Sequence, residues 1–118
     1  LRKVQDKTIF QISEEIRELT NKIRTGKIMP DDQVGGTFTV SVLGTVDGFT
    51  PILNSNQSGI LGVGRTVAKP VVKSGEIVVR SMATISLTVD HQVVDGSVAA
   101  EFMKCIQQVI EQPAPLFD

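Results

Sequence analysis

The sequence predicts an α/β fold, an α+β sandwich in which helices cover a mixed sheet. Three patterns support it: a helical stripe of apolar side chains near the N-terminus, strand-like alternation and β-branched runs in the middle, and a second helical stripe near the C-terminus. The 118 residues contain 41% hydrophobic side chains. We therefore expect one domain over residues 1–118, hiding roughly two-thirds of the surface of the unfolded chain.

The first predicted element is a helix that begins after Thr8. Gln11 follows three positions later, the capping-box spacing in which each side chain satisfies a free amide of the other residue. Apolar residues recur every three or four positions and form one stripe. They are Ile9, Ile12, Ile16, Leu19 and Ile23. Gly26 is expected to end the helix, because glycine adopts a positive φ at no steric cost.

A strand is predicted from Gly36 onward, where apolar and polar residues alternate. Phe38, Val40 and Val42 share one face of this strand, and Ser41 lies on the other. We expect the strand to be half-buried, with Ser41 on its polar face.

Three further segments predict strands: residues 60–65, residues 71–79 around a Ser74-Gly75 turn, and the β-branched run of residues 82–89. Glycines in and beside the first segment indicate close backbone approach or a bulge. They are Gly59, Gly62 and Gly64.

The last predicted element is a helix with Asp95 or Ser97 as its N-cap. Pro113 ends it, because proline cannot continue a helix. Its apolar stripe consists of Ala99, Phe102, Met103, Ile106 and Ile110. The predicted order is therefore helix, four or five strands, helix.

Composition excludes several classes of protein. Twelve Lys and Arg against thirteen Asp and Glu give a net charge of −1, and Trp and Tyr are absent, so we expect no nucleic-acid partner. One Cys and one His cannot build a zinc site, and we expect no metal. A lone cysteine favours a reducing compartment, the cytoplasm or, in a eukaryote, the mitochondrial matrix. The longest run without a polar side chain, residues 59–64, is too short to span a membrane.

The segment Asp-His-Gln-Val-Val-Asp-Gly at residues 90–96 holds the one histidine, His91, between two carboxylates. A neutral imidazole is a suitable general base near pH 7, and a neighbouring carboxylate can orient it. A structural histidine hydrogen-bonded at a strand end has the same pattern. The segment alone therefore leaves both interpretations open.

Four motifs together carry a family resemblance. Residues 35–44, 49–54, 60–64 and 90–96, in this order, resemble the catalytic domain of the dihydrolipoamide acyltransferases of 2-oxoacid dehydrogenase complexes. The family domain is roughly twice this length, and the chain resembles its C-terminal half. The N-terminus has no initiator Met, which we interpret as a fragment that begins inside an element.

The resemblance implies a chloramphenicol-acetyltransferase-like fold and acyl transfer between dihydrolipoamide and coenzyme A. His91 matches the family's catalytic base, which takes the proton from the attacking thiol. Ser41 matches the hydroxyl that hydrogen-bonds the tetrahedral oxyanion. Asp95 matches an acid that organises the site, although a plain N-cap role explains it equally well. Asp90 is expected to satisfy loop amides, and Gly96 to permit a tight exit from strand to helix.

The chain departs from the family pattern at two positions. Gln92 stands where the family usually has Arg, so a permanent cation is lost. Val42 stands where the family often has Asn beside the catalytic hydroxyl. Both changes concern rate and substrate preference more than the type of reaction.

The resemblance also implies partners. Coenzyme A is the co-substrate, the lipoyl group is carried on a separate domain, and the family site lies between subunits of a trimer-based core that binds the other dehydrogenase subunits. The alternative is a non-catalytic assembly or structural fragment of such a core. A free-standing coenzyme A module is less well supported, because no basic cluster for the nucleotide phosphates is present.

Overall fold

The computed structural model describes residues 1–117, and along this part of the chain one long helix precedes five strands and a second long helix follows them. The elements are α1 (Ile9–Arg24), β1 (Thr39–Val42), β2 (Gly59–Val63), β3 (Val67–Lys73), β4 (Glu76–Met82), β5 (Ile85–Val89) and α2 (Gly96–Glu111). Short 3₁₀ turns occupy Val4–Asp6, Pro30–Gln33 and Ala114–Phe117. The predicted α/β class and element order are confirmed.

The chain forms two compact units. One contains Leu1–Gly36 and the chain from Phe102 onward, and the other contains Thr37–Glu101. The second unit holds all five strands and the first turns of α2. Both segments that sequence analysis singled out for chemistry, those of Ser41 and His91, lie in this strand-bearing unit.

Local signals set both ends of α1. The Gln11 backbone N–H donates to Thr8 Oγ1 (3.2 Å), and the Thr8 N–H donates to Gln11 Oε1 (2.9 Å). Gly26 has a φ of 68° and donates its N–H to the Ile23 carbonyl (3.3 Å). The predicted capping box and the glycine terminus are therefore confirmed.

The strands form a mixed three-stranded sheet and a separate hairpin. The sheet has the order β1-β2-β5, with β1 parallel and β5 antiparallel to β2. The hairpin pairs β3 with β4, and both turn residues, Ser74 and Gly75, have positive φ values of 53° and 79°. This is the conformation of a type I′ turn. The predicted mixed sheet and hairpin are both present.

The predicted continuous strand over residues 82–89 is wrong. Met82 belongs to β4, where it pairs with Val67, and β5 begins only at Ile85. The chain changes sheets between these points, because β4 pairs within the hairpin whereas β5 pairs with β2. A run of β-branched residues predicts strand conformation but not the pairing partner.

The core is much smaller than the sequence predicts. Only two hydrophobic residues of the described chain are buried, Ile60 (4% exposed) and Leu61 (8%). The accessible surface is 9389 Å², against roughly 6,300 Å² for a typical folded monomer of this mass and roughly 18,600 Å² for the unfolded chain. About half of the surface is hidden, so the expected two-thirds is wrong.

The alternation in β1 has the expected period, but its burial is reversed. Thr39 and Ser41 are half-buried, whereas Val40 is 57% and Val42 is 64% exposed. The side of β1 that carries the hydroxyls is therefore the side covered by the chain itself. Ser41 therefore lies on the covered side of β1, and the apolar side of β1 is exposed.

Candidate active site

Ser41 lines a cleft of about 370 Å³ in the strand-bearing unit. The cleft lies between β1 and the loop that follows it, and polar and apolar side chains share its lining. Besides Ser41, the lining includes Thr39, Asn54, Phe49, Ile52 and Ile60. A volume of this size suits a small ligand or part of a larger one.

Glycines in β2 allow one wall of the cleft to approach the sheet. A Cβ on Gly62 would lie 3.0 Å from the Phe49 ring and 3.1 Å from Pro51. Cβ atoms on Gly59 and Gly64 would lie 2.8 Å and 2.3 Å from neighbouring atoms. The predicted close backbone approach is confirmed, and the uninterrupted pairing of β2 with both neighbours shows that no bulge is involved.

Side-chain hydrogen bonds hold the loop segment of residues 49–57, here called the wall segment. Asn54 Nδ2 donates to Thr39 Oγ1 (2.9 Å), and Thr39 Oγ1 donates to Gln57 Oε1 (2.6 Å). Thr88 Oγ1 donates to the Pro51 carbonyl (2.7 Å). Sequence analysis missed these residues. Alternation could have shown that Thr39 shares the face of Ser41, but nothing local indicates which loop residues reach it.

The turn that contains His91 is built around Asp90. The Asp90 N–H donates to the Ser58 carbonyl (3.0 Å), which continues the pairing of β2 with β5 by one residue. Asp90 Oδ1 accepts from the Gln92 N–H (2.9 Å), and the Asp90 carbonyl accepts from the Val94 N–H (2.9 Å). Asp90 therefore satisfies loop amides as predicted, and it holds a turn in which His91 is exposed.

Asp95 directly precedes α2, and its carbonyl accepts the Ala99 N–H (3.0 Å). It therefore occupies the N-cap position, one of the two predicted for this helix. Gly96 is the first helical residue, has no positive φ, and a Cβ on it would meet nothing within 4 Å. The exit from strand to helix therefore does not depend on glycine, because a Cβ at this position would meet no neighbouring atom.

Ser41 and His91 are not brought together within one chain. Ser41 pairs with Gly62, whereas Asp90, next to His91, lies beside Ser58 at the far end of β2 and two strands away from β1. With about 3.4 Å per residue and 4.8 Å between strands, the Cα atoms of Ser41 and Asp90 are roughly 16 Å apart. The residues lining the cleft do not include His91 or Asp95.

Two further features concern residues 1–117: metal-ligating clusters and membrane-spanning helices. In this range no three His, Cys, Asp or Glu side chains are grouped so that they could hold a metal ion. None of the helices described there has the length and apolar character needed to cross a membrane.

Comparison with solved structures shows the class of protein to which the fold is similar, the acyltransferase catalytic cores. The Azotobacter vinelandii dihydrolipoamide acetyltransferase (E2p) is 35% identical with a TM-score of 0.89, covering 100% of this chain and 49% of that one. A truncated catalytic core of the Thermoplasma acidophilum 2-oxoacid dehydrogenase multienzyme complex is 32% identical with a TM-score of 0.76, covering 96% and 50%.

Sequence comparison gives the family. Residues 1–117 match the model of the 2-oxoacid dehydrogenases acyltransferase catalytic domain, and the chain belongs to this family. The dihydrolipoyllysine-residue acetyltransferase component of the Staphylococcus aureus (strain Mu50) pyruvate dehydrogenase complex is 43% identical over 109 residues, which are 91% of this chain and 25% of that protein. The chain thus spans about a quarter of this curated relative and about half of the solved cores.

Proposed function

We propose that this chain supplies catalytic residues to an acyltransferase site that moves an acyl group between dihydrolipoamide and coenzyme A. The observation that carries the proposal is the position of Ser41, a half-buried hydroxyl on the wall of a cleft in a member of this family. Work on the Azotobacter vinelandii relative concerns the role of a serine, a histidine and an asparagine in its catalytic mechanism. Its histidine and asparagine are four positions apart, as are His91 and Asp95.

His91 is the general base in this proposal. Its neutral imidazole takes the proton from the attacking thiol, and the sulfur forms a bond to the thioester carbonyl carbon. The resulting tetrahedral intermediate breaks its bond to the sulfur that originally carried the acyl group, and the imidazolium returns the proton to that leaving thiolate. A base is needed because a free thiol with a pKa near 8.5 is mostly protonated at neutral pH.

Ser41 is the oxyanion donor. Its hydroxyl donates a hydrogen bond to the negative oxygen of the tetrahedral intermediate and does not attack the carbonyl. Such a donor stabilises the transition state more than the substrate, so it acts mainly on kcat. Asp95, at the head of α2 and only four positions from His91, organises the turn between them.

The two catalytic residues act from different copies of the chain. The separation of the Ser41 and His91 segments across the sheet supports this. Residues near opposite ends of β2 in one chain are too far apart to contact the same thioester carbonyl. The solved relatives include the cubic core of a pyruvate dehydrogenase multienzyme complex, 34% identical over 100% of this chain. We propose a trimer-based core as the assembly, with the other dehydrogenase subunits as partners.

Coenzyme A and a lipoyl group on a separate domain are the proposed co-substrates, and the chemistry requires no metal. The residues present fit thiol substrates: the cleft offers a hydroxyl donor beside an apolar surface, and His91 is exposed to an incoming thiol. The cytoplasm is the proposed compartment, where the exposed thiol of Cys105 remains reduced.

A non-catalytic assembly role is the second candidate. The exposure of large apolar side chains on β1 favours it, since these surfaces suit packing against other protein. The two roles are separated by a kinetic test, because an assembly fragment needs neither the imidazole nor the hydroxyl.

The test uses this chain joined to the part of the Azotobacter vinelandii catalytic domain that it does not cover, here called the completed domain. His91→Ala should lower acetyl transfer to dihydrolipoamide by on the order of 10²- to 10⁴-fold. Ser41→Ala should lower kcat by on the order of 10²- to 10³-fold with little change in KM. Wild-type rates in both variants would leave only the assembly role.

Mixing the two inactive variants tests the shared site. If His91 and Ser41 act from different copies, a core assembled from equal amounts of both variants contains some intact pairs, giving about a quarter of the wild-type sites by random mixing. Cores assembled from His91→Ala alone are the control. Activity no higher than in that control would contradict a site shared between copies.

A further inference from the structure

The hydrogen bonds around Thr39 have a direction that follows from the hydroxyl group. Thr39 Oγ1 has one proton, which it donates to Gln57 Oε1 (2.6 Å), and lone pairs, one of which accepts from Asn54 Nδ2 (2.9 Å). Asn54 therefore presents its amino group to Thr39. The other end of the same amide, the acceptor Oδ1, is the end that remains for a ligand in the cleft that Asn54 lines.

These bonds matter because the wall segment has no ladder of its own. Residues 49–57 contain neither helix nor strand, so hydrogen bonds from side chains of the sheet contribute to where this segment lies. Thr39 and Thr88 supply such contacts from β1 and β5. Thr39 is also two positions from Ser41, on the same face of β1 and on the same cleft wall.

We propose that Thr39 is a positioning residue that orients Asn54 so that Asn54 Oδ1 accepts a hydrogen bond from an amide N–H of one of the two thiol substrates, in its free or acylated form. This inference rests on the proposed acyl transfer and adds a specificity element to the same cleft. Both proposed substrates carry an amide in the arm that bears the thiol, so either can supply the N–H. A substrate with an ester in place of the amide cannot.

The kinetic test compares amide and ester substrates in the completed domain. One arm compares dihydrolipoamide with dihydrolipoic acid methyl ester. The other compares S-acetyl-N-acetylcysteamine with the analogue in which an oxygen ester replaces its amide and the thioester is kept. Thr39→Val, which removes the hydroxyl at nearly constant volume, should lower kcat/KM for the amide by roughly three- to tenfold in one arm, while leaving the ester unchanged. The arm that responds identifies which substrate occupies this cleft.

Three further variants separate positioning from folding. Thr39→Ser keeps the hydroxyl and should restore the preference for the amide. Asn54→Ala, at an exposed loop position, should reproduce the loss of preference even if Thr39→Val does not fold. Ser55→Ala, at the adjacent exposed position, is the matched control and should keep the wild-type preference. Equal loss for amide and ester in both arms, or no change in Asn54→Ala, would overturn the inference.

A binding measurement makes the result independent of turnover. In this chain labelled with ¹⁵N, the Asn54 side-chain amide signals should shift on adding the amide compound of the responding pair and not on adding its ester. Such a shift without any turnover in the completed domain would remove the proposed function but keep the amide contact. Turnover with no shift of the Asn54 signals for either amide compound would keep the proposed function and contradict the amide contact.

Discussion

Asp90 Oδ1 accepts a hydrogen bond from the backbone N–H of Gln92 at 2.9 Å, and His91 is the one residue between them. The carboxylate thus closes a turn that contains the proposed base. Its own backbone is held by the Ser58 carbonyl at the end of β2. The sheet therefore positions His91 through Asp90.

Removing this carboxylate should affect catalysis more than stability. Asp90→Ala deletes the acceptor of the Gln92 N–H, so the turn loses a charge-assisted bond, and we expect kcat of the completed domain to fall by roughly tenfold. Asp90→Asn retains an acceptor oxygen and should keep most of the activity. Steady-state kinetics with a matched circular dichroism spectrum measure the effect. An equal loss in both variants would contradict the turn-closing role.

Gly64 should not tolerate a side chain. A Cβ there would lie 2.3 Å from the backbone oxygen of Asp47, which cannot rotate away, so Gly64→Ala should destabilise the chain by roughly 1–3 kcal/mol. Gly44→Ala is the control, because a Cβ at Gly44 meets nothing within 4 Å and its φ is not positive. Urea unfolding of both variants makes the comparison. Equal urea midpoints for the two variants would contradict the prediction and show that the backbone at Asp47 moves to accommodate the side chain.

The ion pair of Asp47 and Arg65 should make a small, pH-dependent contribution to stability. The hydrogen bond from Arg65, followed by its positive charge, lowers the pKa of the Asp47 carboxyl below 3.8. The contribution is therefore complete above that ordinary value and is lost as the pH falls through the lowered pKa of the folded state. Thermal unfolding of Asp47→Asn should differ from wild type at pH 6 and converge with it in stronger acid. In a chain that already carries Arg65→Met, adding Asp47→Asn should cause no such pH-dependent change in thermal unfolding.

Gln92→Arg tests the departure from the family pattern. The sequence leads us to expect that this variant gains stability or activity if a buried carboxylate lies where it can pair with the guanidinium. No charged residue in the described part of the chain is buried, and Gln92 is exposed. We therefore expect the free energy of unfolding of this chain, measured by urea unfolding, to change by less than about 0.5 kcal/mol. A gain in activity only in the completed domain would place the carboxylate outside this chain.

The chain should self-associate at micromolar concentration. β1 is an edge strand of the sheet, and Val40 and Val42 on it are exposed, so both its backbone and its apolar side chains can contact another copy. Light scattering on a sizing column over a dilution series should detect oligomers, with a trimer expected first. Val40→Lys should weaken the association, and a monomer at all concentrations in the wild type would contradict it.

The sequence determined features whose causes are local. Thr8 and Gln11 are three residues apart and cap each other wherever the helix lies, and Ser74-Gly75 sets its own turn. The turn around His91 is equally local, because Asp90 bonds to amides within four residues. The order of the four motifs is also enough to indicate the family. The predicted caps and turns are correct because each depends on contacts between near neighbours in the chain.

The tertiary structure alone decided which strands pair and what lies between them. Pairing divides the β-branched run between two sheets, covers the hydroxyl side of β1, and separates Ser41 from His91 along β2. It also brings Asn54 and Gln57 to Thr39 across 15 and 18 residues of chain. Alternation specifies two faces for a strand but not which face another segment will cover, because register and packing depend on contacts between residues far apart in sequence.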